Sequence, residues 1–173
     1  MPSGSHTDTA QQTSVNAPRL PLRLRLKPKA PPTGYVDGGW WPRSRELADE
    51  LTALTDVLAF RLGPVVRVAF SPAEWNPVDE ADDLPIRLKP LCSQEKNIVR
   101  VSGSDGRQIT LLVVPPEATD EAGHAAIMRA ARRANADEPA DILAASGVVL
   151  ADARRKNKRH VLRPRLRTRH PQR

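Results

Sequence analysis

Large aromatic side chains are scarce in this chain: three Trp, one Tyr and two Phe, 3% of 173 residues. Cysteine occurs once, at Cys92, which excludes an internal disulfide. Long apolar runs are missing too. The longest, ITLLVV at 109–114, is far short of the ~18–20 residues that a membrane-spanning helix needs, so no membrane insertion is expected. The first residues show no basic start followed by an apolar core, as a secretory signal would. The expected location is therefore cytoplasmic. Histidine is confined to His124 within the central part of the chain, with His6, His160 and His170 near the ends.

Overall apolar content, 39%, is low for a globular protein, while proline reaches 17 residues. Residues 1–18 (MPSGSHTDTAQQTSVNAP) hold scarcely a large apolar side chain, too little burial to offset chain entropy, and read as a disordered amino-terminal tail. At the other end, residues 154–173 hold ten of the 27 Lys and Arg and none of the 20 acids. The remainder carries 17 bases against 20 acids, a net charge of −3, so the whole-chain charge of +7 is a property of the tail. The expected organisation is a tail at 1–18, one domain at 19–150 and a basic disordered tail at 151–173. The folded body is not the kind of basic domain that reads DNA with its own surface.

Within the body, LPLRLRLK at 20–27 alternates Leu with bases and reads as a half-buried strand with a basic outer face. Pro21 and Pro28 place it at a sheet edge, because proline cannot donate to an interior ladder. Leu47, Leu51, Leu54, Leu58 and Leu62 recur at helical spacing after Ser44, a candidate N-cap, and Gly63-Pro64 stops that helix. A β-branched strand follows at 65–70, then a capping-box turn at Ser71–Glu74 with Trp75 as its anchor. Residues 79–83 (DEADD) form an acidic loop, which as a flexible run is ordinarily solvated rather than a cation site. Alternation at 86–89 suggests another strand. Segments 97–102 and 107–114 flank Gly-Ser-Asp-Gly and form a hairpin. Helices are expected from Thr119 to about 133 and from about 137 to Gly147. This order predicts an α+β fold: a mainly antiparallel sheet of four to five strands with two main helices on one face.

The densest group of functional side chains is YVDGGWWPRSR at 35–45. Together with the LGPVVRVAF strand and DGRQITLLVVPP at 105–116, it is similar to a family of small uncharacterised actinobacterial, notably mycobacterial, proteins marked by a VDG-A-WWPRSR motif. That family has Ala at the position of Gly39. The resemblance covers about 20–147, leaves out the basic tail, and implies a domain of unknown function with no activity attached.

Asp37, Trp40, Trp41, Arg43 and Arg45 admit two readings. As a ligand platform, the indoles stack a base or sugar while the arginines grip a phosphate or carboxylate. As architecture, the rings cap the core, Asp37 pairs with an arginine, and Gly38-Gly39 make a tight turn; the shortage of aromatics favours this second reading. Val-Asp-Gly-Gly lacks the glycine spacing and Lys-Ser/Thr of a phosphate loop. His124 has only Glu121 nearby on its helix, and Cys92 has no evident histidine partner, so each reads as a bystander. No catalytic residue, metal ligand or cofactor site is assigned.

In the tail, Arg154, Arg155, Lys156, Lys158, Arg159, Arg163, Arg165, Arg167 and Arg169 repel one another in isolation and gain affinity for phosphates by counterion release. The leading expectation is a non-enzymatic binding protein whose tail contacts nucleic acid, RNA or the ribosome, without sequence specificity. The alternative is a small-molecule or protein-partner module centred on the 37–45 motif. An enzyme is the weakest of the three.

Overall fold

A computed structural model of the chain describes residues 20–29, 33–78, 85–92 and 94–150. The amino-terminal stretch 1–18, the acidic loop 79–83 and the basic segment 154–173 lie outside the described residues. The elements, in chain order, are strand β1 (Leu24–Leu26), strand β2 (Gly38–Trp40), helix α1 (Leu47–Leu62), strand β3 (Val65–Phe70), a 3-10 turn (Pro72–Glu74) and strand β4 (Arg87–Pro90). Strands β5 (Ile98–Gly103) and β6 (Gln108–Val113) and helices α2 (Asp120–Ala130) and α3 (Pro139–Ala145) complete the fold. The expected α+β class is observed.

The six strands form one sheet in the order β1-β2-β6-β5-β3-β4. Proline indeed leaves β1 at an edge. The β5–β6 hairpin pairs antiparallel, as do β1–β2 and β3–β5, while β2–β6 and β3–β4 run parallel. Two expectations are corrected here. The sheet has six strands, because Gly38-Gly39-Trp40 is a buried strand rather than a turn, and it is mixed, because β2–β6 and β3–β4 both pair parallel. The main helices also lie on opposite faces. Leu47, Leu51, Leu54, Leu58 and Leu62 of α1 pack with Val99, Val101, Ile109, Leu111 and Val113 on one side. Ala122, Ala126, Ile127 and Ala130 of α2, with Ile142 and Leu143 of α3, pack with Ile98, Leu112 and Val114 on the other. The reason is visible in β6. Its unbroken Leu-Leu-Val run supplies apolar side chains to both faces, and a sheet apolar on both faces needs a layer on each.

Local chemistry sets the helix ends. Thr119 Oγ1 accepts the Ala122 N–H at 3.3 Å and caps α2. For α1 the N-cap is Glu46, two residues beyond Ser44. The Glu50 carboxylate explains the difference: it accepts the Arg43 N–H (3.0 Å), the Ser44 N–H (2.9 Å) and the Ser44 hydroxyl (3.0 Å), holding the motif outside the helix.

Strand β2 needs its glycines because other backbones press on it. A Cβ at Gly38 would meet the Arg25 carbonyl oxygen at 2.2 Å, and one at Gly39 would meet Ile127 Cα of α2 at 2.8 Å. No positive φ is involved; the requirement is space.

Two outcomes are expected in urea unfolding. Leu54→Ala, at a fully buried α1 position, costs about 2–5 kcal/mol; a loss under about 0.5 kcal/mol would contradict the placement of α1. Gly38→Ala costs about 3 kcal/mol or more and Gly39→Ala nearer 1, since a helix retreats more easily than a paired strand. The reverse ranking would refute this packing.

Candidate functional site

Consecutive residues on a strand point to opposite faces, and this decides the fate of the paired tryptophans. Trp40 enters the α1 side, where it stacks on Trp75 with ring centroids 5.4 Å apart and planes at 24°. Trp41 enters the α2 side, flat against Gly123, where an added Cβ would lie 2.6 Å from the indole. A mid-helix glycine ordinarily weakens a helix by about 1 kcal/mol; here it makes room for the ring. Both indoles are buried, Trp40 completely. They do not share a surface on which one ligand stacks.

The polar residues of the motif separate in the same way, along the strand rather than across it. Asp37, before β2, accepts the Thr110 N–H on Oδ2 at 2.8 Å, while its own N–H donates to the Thr110 carbonyl at 2.7 Å. Asp37 thus continues the sheet pairing, and the expected Asp37–arginine pair is replaced by this exchange. Arg43 and Arg45 follow β2, at its other end. Arg43 is exposed and donates to the Pro21 carbonyl at 3.0 Å. Arg45 grips Glu117 with two N–H groups, at 2.6 and 2.8 Å, and also donates to the Glu74 carbonyl. Of the candidate residues, Asp37 borders one cavity and Arg45 another, at opposite ends of the strands, while Trp40, Trp41 and Arg43 line neither.

The first cavity, about 470 Å³, lies at the Asp37 end and is cationic: Lys27, Lys29, Arg61, Arg107 and Arg133 line it with Asp37. Lys27 is the unexpected member. Alternation assigned it to a solvated outer face, yet it is 7% exposed, because α2 and the 133–136 segment cover that face of β1. Its Nζ donates to the carbonyls of Thr33 (2.7 Å) and Asn135 (2.8 Å), and burial pulls its pKa below the usual lysine value, partly offset by Asp37. Arg23, on the same face, donates to the carbonyls of Trp41 (3.1 Å) and Pro42 (2.7 Å) and lies 3.6 Å over the Trp41 ring, a cation–π contact.

The second cavity, about 390 Å³, lies at the Arg45 end and is bordered by Pro42, Ser44, Arg45, Glu74, Trp75 and Asn97, among others. Glu74 is its central group. Oε1 accepts the Asn97 N–H, and the buried Oε2 has no partner among the described residues. Burial pushes its carboxyl pKa up to about 7, against the opposing pull of the Asn97 N–H and of Arg45 and Lys96. Sequence reading gave Glu74 only a place in a capping box; its burial depends on Trp75 and the β5 entry, which local patterns do not encode.

Elsewhere, His124 and Cys92 are exposed. Among the described residues no group of three or more His, Cys, Asp or Glu is placed to hold a metal ion, and no helix is long and apolar enough to cross a membrane. The basic tail residues lie outside the described residues.

A mixed sheet layered by helices on both faces, with a double-tryptophan strand between two end cavities, defines a small α+β domain. Residues 23–131 match the family described as a family of unknown function (DUF5994), and the chain belongs to that family. Neither a curated protein nor a solved structure gave a match.

Glu74 predicts a pH dependence. With its pKa raised from 4.5 to about 7 on folding, the folded state holds an extra proton between those values. The associated stability is complete below about pH 4.5 and is lost as pH rises through 7, on the order of 3 kcal/mol in all. Glu74→Gln keeps an acceptor for Asn97 and removes the titration. Its stability relative to the parent should rise between pH 5 and pH 8 in chemical denaturation; a difference independent of pH would refute the assignment.

Proposed function

We propose that this protein is a non-enzymatic cytoplasmic binding protein, from an actinobacterial source, that contacts nucleic acid, RNA or the ribosome, through its arginine-rich segment. The observation that carries this reading is the segregation of charge: ten bases and no acid in 154–173, against a net −3 in the rest. Such a segment neutralises phosphates without reading bases, and arginine adds bidentate contacts and stacking on unpaired bases. Support for the source is the VDGGWWPRSR motif. The family domain at 23–131 ends well before the basic segment, which fits a scaffold bearing a separate contact arm.

A second reading, a small-molecule or protein-partner module at the motif, is favoured by one observation: Pro42, Ser44 and Arg45 border the cavity that holds the unpartnered Glu74 oxygen. The test is fluorescence anisotropy with a short single-stranded RNA, using the full chain and a chain ending at Ala153. The full chain should bind with a log–log salt slope of about −0.7 per phosphate neutralised. Truncation should abolish this binding and leave the melting temperature nearly unchanged. Salt-insensitive binding retained by the shorter chain would move the contact to the folded domain and overturn the proposal.

A further inference from the structure

The cationic cavity is not needed for the tail to work, and it lies at the other end of the strands from Leu150, where the described chain ends beside the second cavity. Its construction points to a ligand of its own. Five cationic side chains line about 470 Å³ with one carboxylate, in a body whose overall charge is negative. A cavity of that volume lies within the range of small-molecule sites and exceeds what a single inorganic ion fills.

The way the cations are held matters most. Lys27 Nζ is fixed by two carbonyl oxygens, Arg61 donates to the Lys27 carbonyl at 2.9 Å, and Arg107 reaches towards the Arg61 carbonyl at 3.4 Å. Thr33 ties in the Arg133 backbone through a 2.9 Å bond to its carbonyl. Carbonyls orient a cation without neutralising it. Asp37, the carboxylate in the lining, has one oxygen occupied by the Thr110 N–H, and Arg107 pairs with Asp105, at 3.2 Å and outside the lining. An ammonium has three donors, so Lys27 keeps one for a ligand, and each guanidinium keeps most of its five.

We propose that this cavity is a binding site for a small phosphate-bearing anion, gripped by Lys27, Arg61 and Arg107, with Lys29 and Arg133 at its rim. Phosphate is favoured over a monocarboxylate because several cations meet at one place, and a multiply charged tetrahedral group satisfies several forked donors at once. The phosphate belongs either to a free metabolite or to the end of a nucleic acid strand, and these share the same recognition chemistry.

The test is isothermal titration of the full chain with inorganic pyrophosphate at low salt, beside the variants Arg61→Gln, Arg107→Gln and Arg67→Gln. Arg67 is an exposed arginine on β3 outside the cavity. One saturable site is expected, weakened about tenfold or more by Arg61→Gln and by Arg107→Gln and unchanged by Arg67→Gln. Because Arg61 also braces the Lys27 backbone, Arg61→Lys serves as a second variant: retained charge should restore much of the affinity, with melting temperatures showing that each variant is folded. Competition by a 5′-phosphorylated oligoribonucleotide, but not by its 5′-hydroxyl form, would assign the phosphate to a strand end; lack of competition by both would assign it to a free metabolite. Absence of saturable binding, or equal loss in Arg67→Gln, would overturn the site. RNA binding through 154–173 should persist in every variant, so failure here is separable from failure of the tail proposal.

Discussion

The close approach of three backbones at Gly38 and Gly39 is the constraint on which the rest of this domain depends. With the β1 carbonyl on one side and α2 above, β2 has room for no Cβ at either position. Paired on both edges by β1 and β6, the strand must then send its next two side chains to opposite faces. Trp40 joins the α1 layer through Trp75, and Trp41 joins the α2 layer through Gly123 and Arg23. One short strand therefore links the two halves of a core that has few other aromatics. The same geometry places Asp37 at one end of the sheet and Pro42 to Arg45 at the other.

Those two ends differ in kind. At the Arg45 end charges are matched locally: Glu117 takes Arg45, Glu50 takes the motif's N–H groups, and the excess carboxyl of Glu74 is held near neutrality by burial. At the Asp37 end Lys27 and Arg61 rest on carbonyl oxygens, Arg107 pairs with Asp105, and Asp37 is the one carboxylate in a lining with five cations. The Debye length of physiological salt is roughly 8 Å, so charges that share a cavity are screened from one another less than charges spread over a surface. An exposed lysine or arginine elsewhere on the surface acts nearly alone.

Much of the architecture is legible in the sequence wherever local pattern and burial agree. The leucine stripe gives α1, the Gly-Ser-Asp-Gly turn gives the β5–β6 hairpin, and Thr119 and Gly147 bracket the last two helices. Two features are not legible locally. Gly38-Gly39 reads as a turn because glycine is a poor strand former, and only the approach of β1 and α2, distant in sequence, makes it a strand. Lys27 follows a perfect alternation onto a face that should be wet, and α2, almost a hundred residues later, buries it. The helix arrangement was legible in principle: Leu111-Leu112-Val113-Val114 admits no wet face, which requires a layer on each side of the sheet. Glu74 and the cationic cavity are assembled from residues separated by up to a hundred positions, and no short window contains them.

The motif that dominates this sequence is, residue by residue, consumed by architecture. The glycines give clearance, the indoles fill two core layers, Ser44 and the Arg43 backbone meet Glu50, and Arg45 locks Glu117. Asp37 and Arg45 serve this architecture and also border a cavity each. Polar groups with unspent hydrogen-bonding capacity lie near its two ends: Lys27, Arg61 and Arg107 around the cavity of Asp37, and Glu74 in that of Arg45. The basic segment lies outside the matched region 23–131, so the tail proposal and the cavity proposal rest on separate parts of the chain.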